Sequence, residues 1–424
     1  MRSLMQENNL DYQAPADVSV GKSRVLSRTT FEKTTYSAPG DVSSVTFNIS
    51  DAYINADNSY IQFDLSVLDG TESKAGDNVY ADFSAGPLNA IQGATFTSKS
   101  GEKIDSVNYS NFRNYAMLPW EHSKDSFDTN LSVMKHGFNA AAGAGKDWSS
   151  AVNTDPKVIV PLRYILPMFN MHGDKLIPAE LLRGGRLDIY WAPAALVFNH
   201  STAAAPTSAT YSISNAAVYL DSVVLADGVL SVLKQQMASS MGLPLSFDSF
   251  DDQKEVGTST DTVIVRSTTA RSKVKKAHLV LCTPQATEAA KFGVNSLNGL
   301  ITNWVDGYYK HGDVRYPPRP IQGSATSQME VYGNNQYVAG GLSGLEIAVP
   351  YSDSMATGTA RKINPMSCSL ETTFQGALSG RPTASGKALV FEGSLAAAVS
   401  WDAYLFTKFA TRLQLFSSKV VLTR

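Results

Sequence analysis

The sequence predicts an all-β protein of the antiparallel sandwich or barrel class. Three observations carry that reading. Charged residues make up 17% of the 424-residue chain, below the usual quarter, while Tyr and Phe number 18 each. Such a composition suits half-buried sheets better than helical bundles. Several short segments alternate apolar and polar residues with a period of two, and Gly-, Ser- and Ala-rich connections separate them. No repeat of about 20–50 residues is present, which argues against solenoids and propellers.

Residues 1–28 are polar and aperiodic, with Pro15 and Gly21, and read as an arm outside the core. Strand text begins at Thr29. Val45, Phe47 and Ile49 alternate with Thr46, Asn48 and Ser50. The clearest strand is SYIQFDLSV (59–67), with Ile61, Phe63, Leu65 and Val67 on one face and Gln62, Asp64 and Ser66 on the other. A loop, Asp69–Asp77, follows, then strand text from Ala90 to Ile104 and a short helix over 107–119. Residues 137–156 and Ser201–Ser208 read as loops, and Ala216–Ala226 as a strand.

Lys157–Trp191 is the stretch around which the first half is organised. An apolar run, Val158–Leu162, opens it, and the alternating Leu187, Ile189 and Trp191 close it. The two flanks read as strands of one sheet, joined by a turn at Asn170–Asp174, a segment starting at Pro178 and the Gly184–Gly185 pair. No acid, base or nucleophile stands out in it.

Asp227 reads as the cap of a helix in which Val229, Leu230, Val232, Leu233 and Met237 recur at helical spacing, ending by Gly242. Beyond it Thr262–Arg266, Ala277–Leu281 and Leu389–Phe391 read as short strands, and Leu345, Ile347 and Val349 alternate. Pro284–Val305 reads as helical. The paired prolines of YYKHGDVRYPPRPI (308–321) exclude a central strand there.

The chain offers little chemistry. GAGK (143–146) lacks the earlier Gly and the Ser or Thr after Lys146 that a phosphate-binding loop needs, since Ala140 and Asp147 stand there. His122, His136, His172, His200, His278 and His311 show no metal-ligand spacing. Ser343 in GLSG and Ser379 in GALSG miss the spacing of a nucleophile elbow. Asp248, Asp251, Asp252 and Glu255 read as a solvated turn rather than a calcium loop. Arg271, Lys273 and Lys275 read as one cationic face of an exposed strand. Phe47, Phe63 and Trp191 share faces with aliphatic residues and are assigned to the core, not to a sugar-binding platform. Cys282 and Cys368, far apart and outside any CxxC, are expected reduced and buried. The net charge of –2 announces no nucleic-acid binding, and the four Asn-x-Ser sequons (Asn48, Asn108, Asn130, Asn199) are read as chance. The N-terminus has no apolar h-region and no window reaches 18 apolar residues, so neither signal peptide nor membrane helix is expected.

Four segments, in order along the chain, resemble the double jelly-roll major capsid proteins of icosahedral DNA viruses. YSAPGDVSSVTFNISDAYINADNSYIQFDLSV (36–67) is similar to that family's opening strands. VPLRYILPMF with LIPAELLRGGRLDIYW resembles its apolar strand, helical turn and following strand. YYKHGDVRYPPRPIQGSATSQMEVY (308–332) resembles its YP-x-P-I segment and the helix start after it, and WDAYLFTKFATRLQLFSSKVVLTR its closing strands.

The resemblance implies two consecutive eight-stranded antiparallel jelly-roll sandwiches with short inserted helices. The segments would be an N-terminal arm (1–28), a first roll (29–226), a linking helix (227–242) and a second roll (243–424). It implies a non-enzymatic shell protein that forms homotrimers of pseudo-hexameric outline, with no catalytic, cofactor-binding or metal residues and no small-molecule substrate. Its partners would be further copies, penton or minor capsid proteins, and the genome or an internal membrane at the inner face, all in the virion. The alternative is a carbohydrate-binding or carbohydrate-active β-sandwich protein, which needs an exposed aromatic platform or two facing carboxylates.

Overall fold

The computed structural model describes residues 21–33, 35–36, 41–49, 52–69, 79–81, 88, 90–121, 138–139, 144–145, 157–171, 176–193, 198–200, 209–282, 284, 304–323, 329–339, 365–371, 379–383, 387–417 and 419–423. Its longer elements begin with β1 (Gly21–Thr30), β2 (Val42–Thr46), β3 (Tyr53–Asp69), β4 (Ile91–Thr97), β5 (Lys103–Val107) and α1 (Ser110–Glu121). There follow β6 (Lys157–Pro161), α2 (Leu162–Ile165), α3 (Ala179–Leu182), β7 (Arg186–Trp191), β8 (Ala209–Leu225) and α4 (Asp227–Ala238). The second half holds β9 (Leu243–Arg266), β10 (Val274–Cys282), β11 (Trp304–His311), β12 (Val314–Gln322), α5 (Met329–Ala339), β13 (Met366–Ser369), β14 (Leu389–Leu415) and β15 (Val420–Thr423).

The first roll is a sandwich of two antiparallel sheets, ordered β1-β8-β3-β6 and β2-β7-β4-β5. Alternation decides which residues lie between them. Ile61, Phe63 and Leu65 of β3 are fully buried and meet Val45, Phe96, Leu187 and Ile189 of the facing sheet in one core. Pairing of Phe63 with Val158 and of Ile61 with both Val160 and Val218 keeps the apolar set on the inner face.

The second roll is built on one long ribbon. β9 and β14 pair from Leu243 with Leu415 to Arg266 with Val390. Near 389–395 the strand β14 also pairs with β11, and near 402–409 with β10. The ribbon therefore passes from one sheet of the sandwich to the other. It turns where the register shifts between Gly257 and Thr260, with Ser259 at φ +46°. A Cβ on Gly257 would sit 2.2 Å from the Trp401 ring, so only glycine fits at that bend. Val263, Val265, Trp304, Tyr309 and Phe391 on one side and Ala277, Leu279, Leu281, Ala403 and Leu405 on the other form this roll's core.

Several expectations are corrected. β6 and β7 lie in opposite sheets, not one. The connection between them crosses the sandwich edge through α2, a 3-10 turn (Pro167–Phe169), a two-residue strand (Ile177–Pro178) on β3, and α3. Gly184, at φ +68°, lets the chain leave α3, and a Cβ on Gly185 would meet the Phe96 ring at 2.5 Å. The arm reading of 1–28 does not hold for Gly21–Arg28, which pair along β8 from Leu225 to Tyr219 as the edge strand β1; residues 1–20 lie outside the described residues. Ala226, not Asp227, is the cap residue of α4; Asp227 is its first helical residue, with Lys22 at 2.5 Å.

The strand text of Ala90–Ile104 is β4 and the start of β5, paired as a hairpin. Thr262–Arg266 and Leu389–Phe391 are pieces of strands of 24 and 27 residues. YPPRPI is strand β12 at the sheet edge, where a missing N–H costs no ladder bond. Of Pro284–Val305, Trp304 and Val305 begin β11, while 285–303 and the 345–349 alternation lie outside the described residues.

Candidate functional site: the joint between the rolls

The sheet β10-β14-β9 is buried on both faces. One face belongs to the second roll's core; the other, with Val280, Cys282, Tyr404 and Phe406, belongs to the cluster that also contains the first roll's core. This explains why WDAYLFT (401–407) is buried at every residue instead of alternating.

Helix α1 of the first roll lies on that second face. Phe112 stacks on Tyr404 with ring centroids 4.1 Å apart, and Tyr109 meets the same ring edge-on at 5.0 Å. The backbone N–H groups of Asn108 and Tyr109, just before the helix, donate to the Asp252 carboxylate at 2.8 and 3.0 Å. An anion at that end also suits the helix dipole. Burial nonetheless raises the Asp252 pKa above the ordinary carboxylate value, with the backbone bonds opposing it. A second carboxylate, Asp105 of β5, is 1% exposed; it accepts from the Met168 N–H at 2.8 Å and from the Ser249 hydroxyl of the other roll. Lys254 reaches buried Asp402 at 2.7 Å.

At the edge of this joint opens a cleft of about 550 Å³. Arg113, Arg163, Lys276, Lys408, Asp248 and Phe250 are among its lining residues. Arg113 is 7% exposed and lies 4.7 Å from the Phe250 ring centroid. It donates to the Tyr164 carbonyl and the Asn114 side chain, and burial lowers its pKa.

Asp248, Asp251, Asp252 and Glu255 lie in strand β9, not in a solvated turn. The basic group is their partner: Arg271 grips Asp251 with two nitrogens at 2.5 Å, and Lys275 approaches Asp248 at 2.6 Å. Arg271 precedes β10 and Lys275 is 4% exposed, so these cations are not one exposed strand face. His278 is buried with Nδ1 3.0 Å from the Ser367 hydroxyl, and His311 Nε2 lies 2.6 Å from the Pro382 carbonyl oxygen. His200 is in a short strand (Phe198–His200), and His122, His136 and His172 lie outside the described residues. No three metal-ligating side chains come together among the described residues.

Ser379 is buried against the Gly380 turn, while Ser343 and all of GAGK but Ala144–Gly145 lie outside the described residues. Phe47, Phe63 and Trp191 are buried as expected, and Cys282 and Cys368 are buried and free. Trp120, Trp191, Trp304 and Trp401 are each at most 4% exposed, so none of them offers a sugar platform. No helix among the described residues is long and apolar enough to cross a membrane.

Solved viral capsid proteins share this fold over most of its length. PBCV-1 VP54, as fitted into a cryo-EM reconstruction of the virophage Sputnik, matches with a TM-score of 0.59 at 11% identity, over 95% of this chain and 97% of its own. The Faustovirus major capsid protein matches at 0.60 and 8% identity, over 96% of this chain and 93% of its own. The mavirus major capsid protein matches at 0.54 and 9% identity, over 98% and 93%. The chain thus has the double jelly-roll fold of viral major capsid proteins. No family model matches the sequence, and no curated protein does.

Proposed function

We propose that this protein is a major capsid protein. Three copies form a trimer of pseudo-hexagonal outline, and trimers tile an icosahedral shell around the genome. The observation that carries the reading is the joint: a sheet buried on both faces fuses two upright sandwiches into a single block. Near-complete coverage of the capsid proteins named above, in both directions, supports it. The division into arm, first roll, linking helix and second roll is proposed along with it, with β1 counted in the first roll and the arm ending before it.

Lateral contact surfaces are at hand. Strand β1 is a sheet edge with Val25 and Leu26 more than half exposed, and Val256 and Ile264 stand out from β9. An open edge with apolar side chains favours pairing with another chain. Pentons, minor capsid proteins, and the genome or a membrane at the inner face are the further proposed partners, and the virion is the proposed location. Negative-stain microscopy of the purified chain tests this: three-fold particles of six-lobed outline are expected. Isolated single particles at high concentration, with neither trimers nor shells, would overturn it.

A further inference from the structure

We infer that the cleft at the joint binds a multivalent oxyanion of the phosphate class. The inference rests on the cleft's own geometry and not on the capsid reading.

Lys276 of β10 and Lys408 of β14 stand directly opposite each other in an antiparallel pair, and both line the cleft. Like charges in that position repel and destabilise the pair. Lys408 is also paired in register with Phe250 of β9, so the two lysines and the ring form one row across three strands. Arg113 descends on this row from the first roll. Its guanidinium and the Lys408 ammonium both face the Phe250 ring, at 4.7 and 5.9 Å from the centroid.

These three cations are poorly compensated. Asp248 lies 3.7 Å from Lys408 but is held more closely by Lys275, at 2.6 Å. Lys276 and Arg113 form no ion pair among the described residues. Arg113 is more than nine-tenths buried, and its Nη1 has no hydrogen-bond partner. A buried guanidinium nitrogen without an acceptor is a costly feature, which a turn of the side chain toward an anion in the cleft would remove. Arg163 stands at the same cleft but is paired with Asp57 at 3.2 Å, so the three remaining cations face the carboxylates of Glu121 and Asp248, an excess of one positive charge.

The chemistry of the ligand follows. Three converging cations match an anion of two or more charges, which a lone carboxylate is not. Arginine and lysine together are the usual donors to phosphoryl oxygens, and partial burial strengthens each such bond. The cleft volume of about 550 Å³ accommodates more than one phosphoryl group. An anion there would bond α1 of the first roll to β10 and β14 of the second, acting as a clamp across the joint.

Titration calorimetry and thermal unfolding of the full chain with inorganic pyrophosphate, against sodium chloride of matched ionic strength, test the inference. Binding is expected, with Tm rising by roughly 3 °C at a hundredfold excess over Kd. Lys276→Gln and Lys408→Gln should each raise Tm without pyrophosphate, because the repulsion is gone, and weaken binding at least tenfold. Lys22→Gln, whose pair with Asp227 lies outside the cleft lining, should bind as the unaltered chain does. No binding beyond the chloride control, or undiminished binding in both lysine variants, would overturn the inference.

Discussion

The two faces of the sheet β10-β14-β9 were built by different physics. The face toward the second roll's core carries Ala277, Leu279, Leu281, Ala403, Leu405 and Phe409, apolar but for Thr407 beside them. The face toward the first roll mixes Val280, Tyr404 and Phe406 with Lys276, His278, Asp252 and Asp402. Non-directional burial suffices to close a sandwich. Seating one sandwich on another at a fixed angle calls for directional bonds, which Asp252 and Asp105 provide. The core face holds the fold together; the joint face fixes the shape of the block.

The largest effect should come from the core faces. Leu405→Asp places an unpaired charge among Leu279, Leu281 and Phe391, and Leu187→Asp does the same beside Val45 and Phe96 in the first roll. Each is expected to cost more than about 4 kcal/mol and to leave no soluble folded protein. Recovery of folded, assembled Leu187→Asp protein would break the placement of β7 at the centre of its sheet.

The joint face should respond to pH instead. Burial, with Lys276, Lys408 and Arg113 nearby, lowers the His278 pKa from 6.5 to about 3. The unfolded chain takes up a proton below pH 6.5 while the folded one does not. His278 therefore contributes stability that is fully present above pH 6.5 and is lost as pH falls toward 3. Denaturation curves should show a loss of up to about 1.4 kcal/mol per pH unit from this group, and His278→Asn should flatten the slope between pH 6 and 4.5. An unchanged slope would mean that His278 is not buried at the joint.

Asp105→Ala removes the acceptor of the Met168 N–H and the Ser249 hydroxyl, and an expected cost of about 1–3 kcal/mol should appear as a lower denaturant midpoint. At the small end, Val25→Gln with Leu26→Gln changes side chains that are already exposed. Its stability should stay within about 0.5 kcal/mol of the parent while self-association weakens.

The same contrast decides what was legible in the sequence. Period-two alternation exposed the core faces, so Ile61, Phe63, Leu65, Leu187 and Ile189 were assigned correctly. The tandem rolls came from an ordered set of resembling segments rather than from periodicity. Alternation carries no record of which sheet a strand joins, so it cannot place β6 and β7 in opposite sheets. The joint was invisible for a further reason. Asp251 and Arg271, or Asp248 and Lys275, are separate local clusters until the fold brings them together, and Asp105 meets Ser249 across 144 residues. One signal was available: WDAYLFTKF carries Trp401, Ala403, Leu405 and Phe409 on one face and Tyr404 and Phe406 on the other, which fits a strand covered on both sides.

The proposal of a shell-building block stands or falls on self-association of intact chains. Light scattering of the purified protein measures it directly. The expected particle has three times the chain mass of 45.6 kDa, or is a larger shell assembled from such trimers. A single-chain mass that persists at high protein concentration would contradict it.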